Sequence, residues 1–204
     1  MATDFEDVGG GVQLFFGETA AAVRVPVRVD ANGQILTAGG SGGTADLGNV
    51  GSYGTTILQT PTITSGTAYV AGDGVGGLLT FASAARNSGG GGVVSSVTWI
   101  DNAGQDAELE LWLFNQSITS GTVDADPWAC GTADLQNIVG VISTEDSDQG
   151  WLAAGTPSVC TVNGAMLRYD CDATSLFGRM VSPTDTPTYT STTSLTVKVG
   201  MLQD

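Results

Sequence analysis

The stretch Leu195-Thr196-Val197-Lys198-Val199-Gly200-Met201-Leu202 alternates apolar residues with others. On an extended chain, side chains two apart share a face. Leu195, Val197, Val199 and Met201 are therefore expected to line a core, with Thr196, Lys198, Gly200 and Leu202 on the other side. Glu108-Leu109-Glu110-Leu111-Trp112-Leu113-Phe114 repeats the pattern. Its second face begins charged and ends aromatic, so the far end is expected to be covered. Working outward, short strands are expected over residues 57–63, 68–71, 77–82, 93–101, 108–115, 137–143, 158–162, 165–170, 177–182 and 195–202, with Gly, Asn, Asp, Pro and Ser clusters between them. Short strands spaced by about 8–20 residues predict an all-β fold, a two-sheet sandwich of the jelly-roll kind. About 150 residues suffice for such a domain to bury its own core. Helix is expected only as one turn near residues 132–136, and no internal repeat is apparent.

Residues 1–54 read differently and predict an extended N-terminal arm ahead of a sandwich over 55–204. Val23-Arg24-Val25-Pro26-Val27-Arg28-Val29 alternates valine with other residues, Asp30-Ala31-Asn32-Gly33 reads as a turn, and Gln34-Ile35-Leu36-Thr37 as a second short strand. Pro26 confines this hairpin to an edge. Gly39-Gly40-Ser41-Gly42-Gly43 has flexible-linker composition. The section has too few apolar anchors for a core of its own, so it is expected either to be mobile or to order by lying on something else.

Composition narrows the function. The chain has 204 residues, 41% hydrophobic and only 13% charged, with 30 glycines. Six basic residues stand against 21 acidic ones, a formal net charge of -15. Nucleic-acid affinity comes largely from Lys and Arg on phosphates, so no nucleic-acid partner is expected. The sequence contains no histidine. That excludes serine–histidine and cysteine–histidine catalysis and His-ligated zinc or haem. No segment approaches 18 consecutive apolar residues, so no transmembrane helix or membrane partner is expected. Met1 to Gly10 is acidic and Gly-rich, and no signal peptide is expected there.

Three cysteines are not a disulfide framework. Residues 159–162 and 165–171 flank Asn163-Gly164, a strong hairpin signal. In that register Cys160 faces Leu167 and Cys171 lies about 13 Å further along, too far for a bridge. Cys130, Cys160 and Cys171 are expected to be small, buried or half-buried thiols.

Candidate sites are few. Gly72-Asp73-Gly74-Val75-Gly76-Gly77 matches G-x-G-x-x-G, yet a strand follows rather than a helix, so a glycine-permissive turn between strands is expected instead of a dinucleotide site. Acid pairs recur at Asp124/Asp126, Glu145/Asp146/Asp148, Asp170/Asp172 and Glu108/Glu110. Surface solvation is the plain reading; structural calcium is the minor alternative, and a glycosidase pair ranks below it. No cofactor is expected. Trp128 and Trp151 fall in loops, where they suit contact with another chain better than a sugar platform.

The series from Thr60-Pro61-Thr62-Ile63-Thr64 through Leu78-Leu79-Thr80-Phe81-Ala82, the 93–101 and 108–114 strands, Leu176-Phe177-Gly178-Arg179-Met180-Val181 and the terminal strand resembles a group of tailed-bacteriophage virion proteins of about this size. The front segment 25–36 has the same flavour. The resemblance covers most of the chain and rests on pattern, without a catalytic fingerprint. It implies a jelly-roll decoration, or cement, protein of a phage head. It further implies a major capsid protein as partner, self-association as a homotrimer, and a location on the virion after synthesis in the host cytoplasm. Phe15, Phe16, Arg24, Val25, Val27, Arg28, Ile35, Leu36, Trp128 and Trp151 are then the expected capsid or subunit contacts. No active site is implied, so the chain is expected not to be an enzyme. The alternatives are a neck, tail or fibre component, and a carbohydrate-binding module aiding host attachment.

Overall fold

The computed structural model describes residues 53–204 together with two short strands, β1 (Arg28–Val29) and β2 (Ile35–Leu36). The chain divides into two compact units, Met1–Val50 and Gly51–Asp204. In the first, β1 and β2 pair antiparallel, Arg28 opposite Leu36 and Val29 opposite Ile35. This is the expected hairpin. Pro26 and the rest of the valine-rich run lie outside the described residues.

Nine strands build the second unit: β3 (Tyr53–Gln59), β4 (Asp73–Phe81), β5 (Gly91–Asp101), β6 (Glu110–Phe114), β7 (Ile138–Ser143), β8 (Trp151–Ala153), β9 (Ser158–Asp170), β10 (Leu176–Ser182) and β11 (Leu195–Gln203). They form a four-stranded sheet in the order β4-β10-β6-β7 and a five-stranded sheet in the order β3-β11-β5-β9-β8. All pairs are antiparallel and nested: β3 with β11, β4 with β10, β5 with β9, β6 with β7. A long hairpin folded over on itself makes this pairing, which is the jelly-roll topology. The three-residue β8 is an addition on the outer side of β9. One helical turn, α1 (Thr132–Leu135), sits in the β6–β7 connection.

The period-2 stretches behave as their patterns require. Leu195, Val197, Val199 and Met201 of β11 are buried, as are Leu109 and, on β6, Leu111 and Leu113. They meet Val94, Val97 and Trp99 of β5 and Leu176 and Met180 of β10 in one core between the sheets. Burying each large aliphatic side chain contributes about 2 kcal/mol, an upper estimate for a fully extended reference chain.

Three expectations need correction. Asn163-Gly164 does not turn a hairpin: β9 runs through it, and both halves pair with β5, Val97 opposite Val162 and Val94 opposite Leu167. A two-residue hairpin turn of the type Asn-Gly favours needs two left-handed residues. Here Gly164 (φ 73°) and Met166 (φ 51°) are left-handed and Asn163 is not, so the extra residues form a bulge. The 11-residue β5 offers hydrogen bonds to both halves, and that outweighs the local turn preference. Cys160 accordingly faces Trp99 and Trp151, not Leu167. Residues 68–71 form no strand; they run beside the 187–192 loop, Tyr69 N–H donating to the Pro187 carbonyl at 3.0 Å and Gly66 N–H to Tyr189 at 2.8 Å. The Gly72–Gly77 cluster is not a turn between strands, because Asp73 to Gly77 already belong to β4. Strand β8 carries no alternation long enough to be read from sequence.

Candidate functional site

The most unusual chemistry lies on the outer face of the four-stranded sheet. On β10, Leu176, Gly178 and Met180 face the core, so Phe177, Arg179 and Val181 face outward. An outward arginine would ordinarily reach water. Arg179 is instead 0% exposed, because residues 115–131 return over the sheet and cover it.

Backbone bonds hold that cover to the edge of β4. Gly74 N–H donates to the Asp126 carbonyl at 2.9 Å, Ala125 N–H to Gly74 at 2.9 Å, and Trp128 N–H to Gly72 at 2.8 Å. Beneath it, Arg179 Nη2 donates to the Val123 carbonyl at 2.6 Å. The guanidinium lies where Gly74 has no side chain: a Cβ there would fall 2.7 Å from Nε and nearer still to Nη2. Gly76 supplies a second backbone need, a left-handed φ of 73°, where β4 slips register against β10. The glycine cluster is thus a bulged strand shaped around an arginine.

Asp124 organises the neighbouring corner. Its carboxylate accepts from Tyr69 Oη at 2.7 Å, Thr64 Oγ1 at 2.7 Å and Gly76 N–H at 2.6 Å. Burial, reinforced by that carboxylate, pushes the Tyr69 hydroxyl well above its ordinary value, so it stays a neutral donor. Burial pulls the Arg179 guanidinium down, while Asp124, Tyr69 and Asp126 act in the opposite direction. Among the described residues the one ion pair is the exposed Arg168–Asp170 contact at 3.7 Å, which contributes little. Arg179 Nε and Nη1 are buried without a hydrogen-bond partner. A buried cation with idle donors is destabilising unless its surroundings compensate.

Further along the cover, Trp128 packs edge-on against Trp112, ring centroids 5.5 Å apart, and against Phe114 at 6.5 Å. This is the covering of the aromatic end of β6 that its sequence demands. Trp112 Nε1 donates to Glu110 Oε2 at 2.8 Å. Asp134 on α1 accepts the amides of Thr119 and Ser120 and the Ser120 hydroxyl. The Ser120 hydroxyl and amide hold its carboxyl below the ordinary carboxylate value.

The other sequence-nominated residues fall as follows. Trp151 is half-buried against the core, its Nε1 donating to the Ala107 carbonyl at 3.1 Å. Trp128, part of the cover, is half-buried against Trp112 and Phe114. Arg28, Ile35 and Leu36 lie in β1 and β2, and Phe15, Phe16, Arg24, Val25 and Val27 lie outside the described residues. Cys160 and Cys171 are buried and Cys130 half-buried, all as free thiols. Of the acid pairs, Asp124 is occupied as above and Asp146 caps the 3-10 turn Thr144–Asp146 by accepting the Ser143 amide at 2.9 Å. Among the described residues no three Cys, Asp or Glu side chains converge as a cation cage. Sequence reading missed Arg179, gave Gly74 to a turn and gave Asp124 to surface solvation, whereas Gly74 makes room for the guanidinium and Asp124 accepts three hydrogen bonds. The available signals were a lone arginine in the apolar run Leu176–Val181 and glycines inside a strand.

The arrangement can latch a long connection to a sheet. No family model, curated protein or solved structure matches this chain.

Proposed function

We propose that this chain is a structural protein of a bacteriophage virion, a head decoration or cement protein that binds the major capsid protein lattice and stabilises the shell. The observation that carries the reading is the jelly roll's outer five-stranded face. Thr196, Ile100, Val159 and Leu152 lie in one row across it, and Leu58, Lys198, Thr98 and Thr161 in the next. Five of these eight side chains, Thr196, Ile100, Val159, Thr98 and Thr161, are β-branched and lose little rotamer freedom when covered, which lowers the entropic cost of association. Two buried carboxylates of the domain do internal work. Asp101 accepts the amides of Ala103, Gln105 and Asp106, and Asp73 that of Val70. Polar groups so committed favour adhesion over turnover. A joint that buries roughly 300 Å² of apolar surface gains about 7 kcal/mol before ordering costs, and repetition over a shell multiplies it.

In this reading residues 1–50 attach to the capsid and Gly51–Asp204, which has its own core, projects from it. The sequence resemblance to phage virion proteins supports the same assignment. The test is co-sedimentation of the purified chain with phage heads that lack it. The full chain is expected to pellet with heads to saturation and a chain without residues 1–50 to remain in the supernatant. Saturating attachment by the truncated chain would overturn the role of the arm, and failure of both would overturn the assignment.

A further inference from the structure

Among the described residues each sheet ends on one side in a strand with no neighbour on its outer side along its whole length. In the four-stranded sheet, β4 is covered by residues 124–128 through the bonds described above, and β7 has no neighbour beyond it among the described residues. In the five-stranded sheet β8 is three residues long, and the other end is β3. No backbone hydrogen bond leaves the outer side of β3 or β7 among the described residues. Open edges are normally protected by charge, proline or a very short strand. Tyr53-Gly54-Thr55-Thr56-Ile57-Leu58-Gln59 and Ile138-Val139-Gly140-Val141-Ile142-Ser143 contain neither a charged residue nor a proline. They also expose large apolar side chains: Tyr53 is 58% and Leu58 52% accessible, Ile138 38% and Val141 37%.

We infer that copies of this chain associate head to tail, the β3 edge of one copy adding to the β7 edge of the next. Three observations select this occupant. β3 packs beside β4 and β7 beside β9, so the two edges lie on opposite sides of the sandwich, as a head-to-tail contact requires. Pairing unlike edges covers both with a single kind of joint, whereas like-with-like pairing would need two. Charge agrees: Lys198 lies next to Leu58 of β3, while the exposed Glu145, Asp146 and Asp148 follow β7. Joining two β7 edges would bring two acid clusters to one joint; joining β3 to β7 brings a cation-bearing sheet towards them. Beside β7, an open cleft of about 230 Å³ with a largely polar lining that includes Asp146 and Asn163 beside Val141, Ile142 and Leu167 gives the side chains of an added strand room. In strand addition the main chain supplies affinity and such pockets supply specificity.

This inference goes beyond the shell-binding reading and does not need it: a chain that assembles without binding heads keeps the one and loses the other. The test uses the full chain, Leu58→Glu and Val141→Glu, examined by sedimentation velocity, with circular dichroism and melting curves as folding controls. Both substitutions are at exposed positions; should Leu58→Glu not fold, Thr56→Glu, exposed on the same strand, replaces it. The wild-type chain is expected to sediment as an oligomer and each variant alone as a monomer. An equimolar mixture of the two is expected to form a one-to-one heterodimer, since each variant retains the edge the other lacks. A monomeric wild-type chain, a homodimer of either variant, or a mixture that stays monomeric would overturn the proposal.

Discussion

Substituting Gly74 by alanine should be among the most damaging single-methyl changes in the domain, and the damage should depend on Arg179. The new Cβ would overlap the buried guanidinium, which cannot retreat because Val123 and the residues 115–131 cover enclose it. Overpacking a filled interior costs about 1–3 kcal/mol. Weakening the two Gly74 backbone bonds to the cover adds about 1 kcal/mol. A total near 3 kcal/mol corresponds to a fall in Tm of about 9 °C for a domain of this size. Arg179→Leu alone should lie within about 1 kcal/mol of the parent. It loses the Nη2 bond but also removes a buried cation with two idle nitrogens. In the Arg179→Leu background the alanine methyl enters vacated space, so Gly74→Ala should cost less than about 1 kcal/mol. The interaction energy is then about 2 kcal/mol, well above the error for independent sites. Urea unfolding of the four chains of the cycle, followed by tryptophan fluorescence, measures it. An equal cost for Gly74→Ala in both backgrounds would refute the account of why β4 is glycine-rich.

Other consequences follow from the buried titratable groups. Burial, with Asp170 adding to it, pushes the Cys171 thiol up to about 11, and burial pushes Tyr169 to about 12. A raised folded-state value means the native chain holds protons that the unfolded chain releases, so stability should decline as the pH rises from about 9. Tm measured from pH 8 to 11 should fall, and fall less in Cys171→Ala; a flat profile would contradict this. Asp134 has a lowered value, so its stabilisation is present above the ordinary carboxyl range and is lost as the pH falls through the lowered one. The Tm gap between the parent and Asp134→Asn should therefore be open at neutral pH and close near pH 2, and a gap independent of pH would count against it. In the native protein Cys130, half-buried, should react with a thiol reagent while Cys160 and Cys171 stay protected until denaturant is added; three equally fast thiols would be the contrary result.

The parts of the fold legible in the sequence are those where one buried face imposes its period. The alternations at Leu195–Met201 and Leu109–Leu113 placed two central strands, and the aromatic end of β6 called for a cover that Trp128 now supplies. Local turn chemistry was the weaker guide. Asn163-Gly164 yielded to β5, which offered a ladder to both sides of it. The G-x-G-x-x-G match failed for a related reason: its glycines answer to a side chain about a hundred positions away, and no local rule contains that contact. Arg179, Asp124 and Tyr69 likewise meet only through the return of residues 115–131. The nominated contacts in the first 27 residues rest on sequence alone.

The central claim is that this jelly roll acts by adhering to a shell. Cryo-electron microscopy of the phage particle tests it most directly. The account predicts density for Gly51–Asp204 repeated on the outside of the head, joined to the major capsid protein through residues 1–50. A particle in which the chain is missing from the head, or attached to it through the sandwich with the first fifty residues free of the shell, would contradict it.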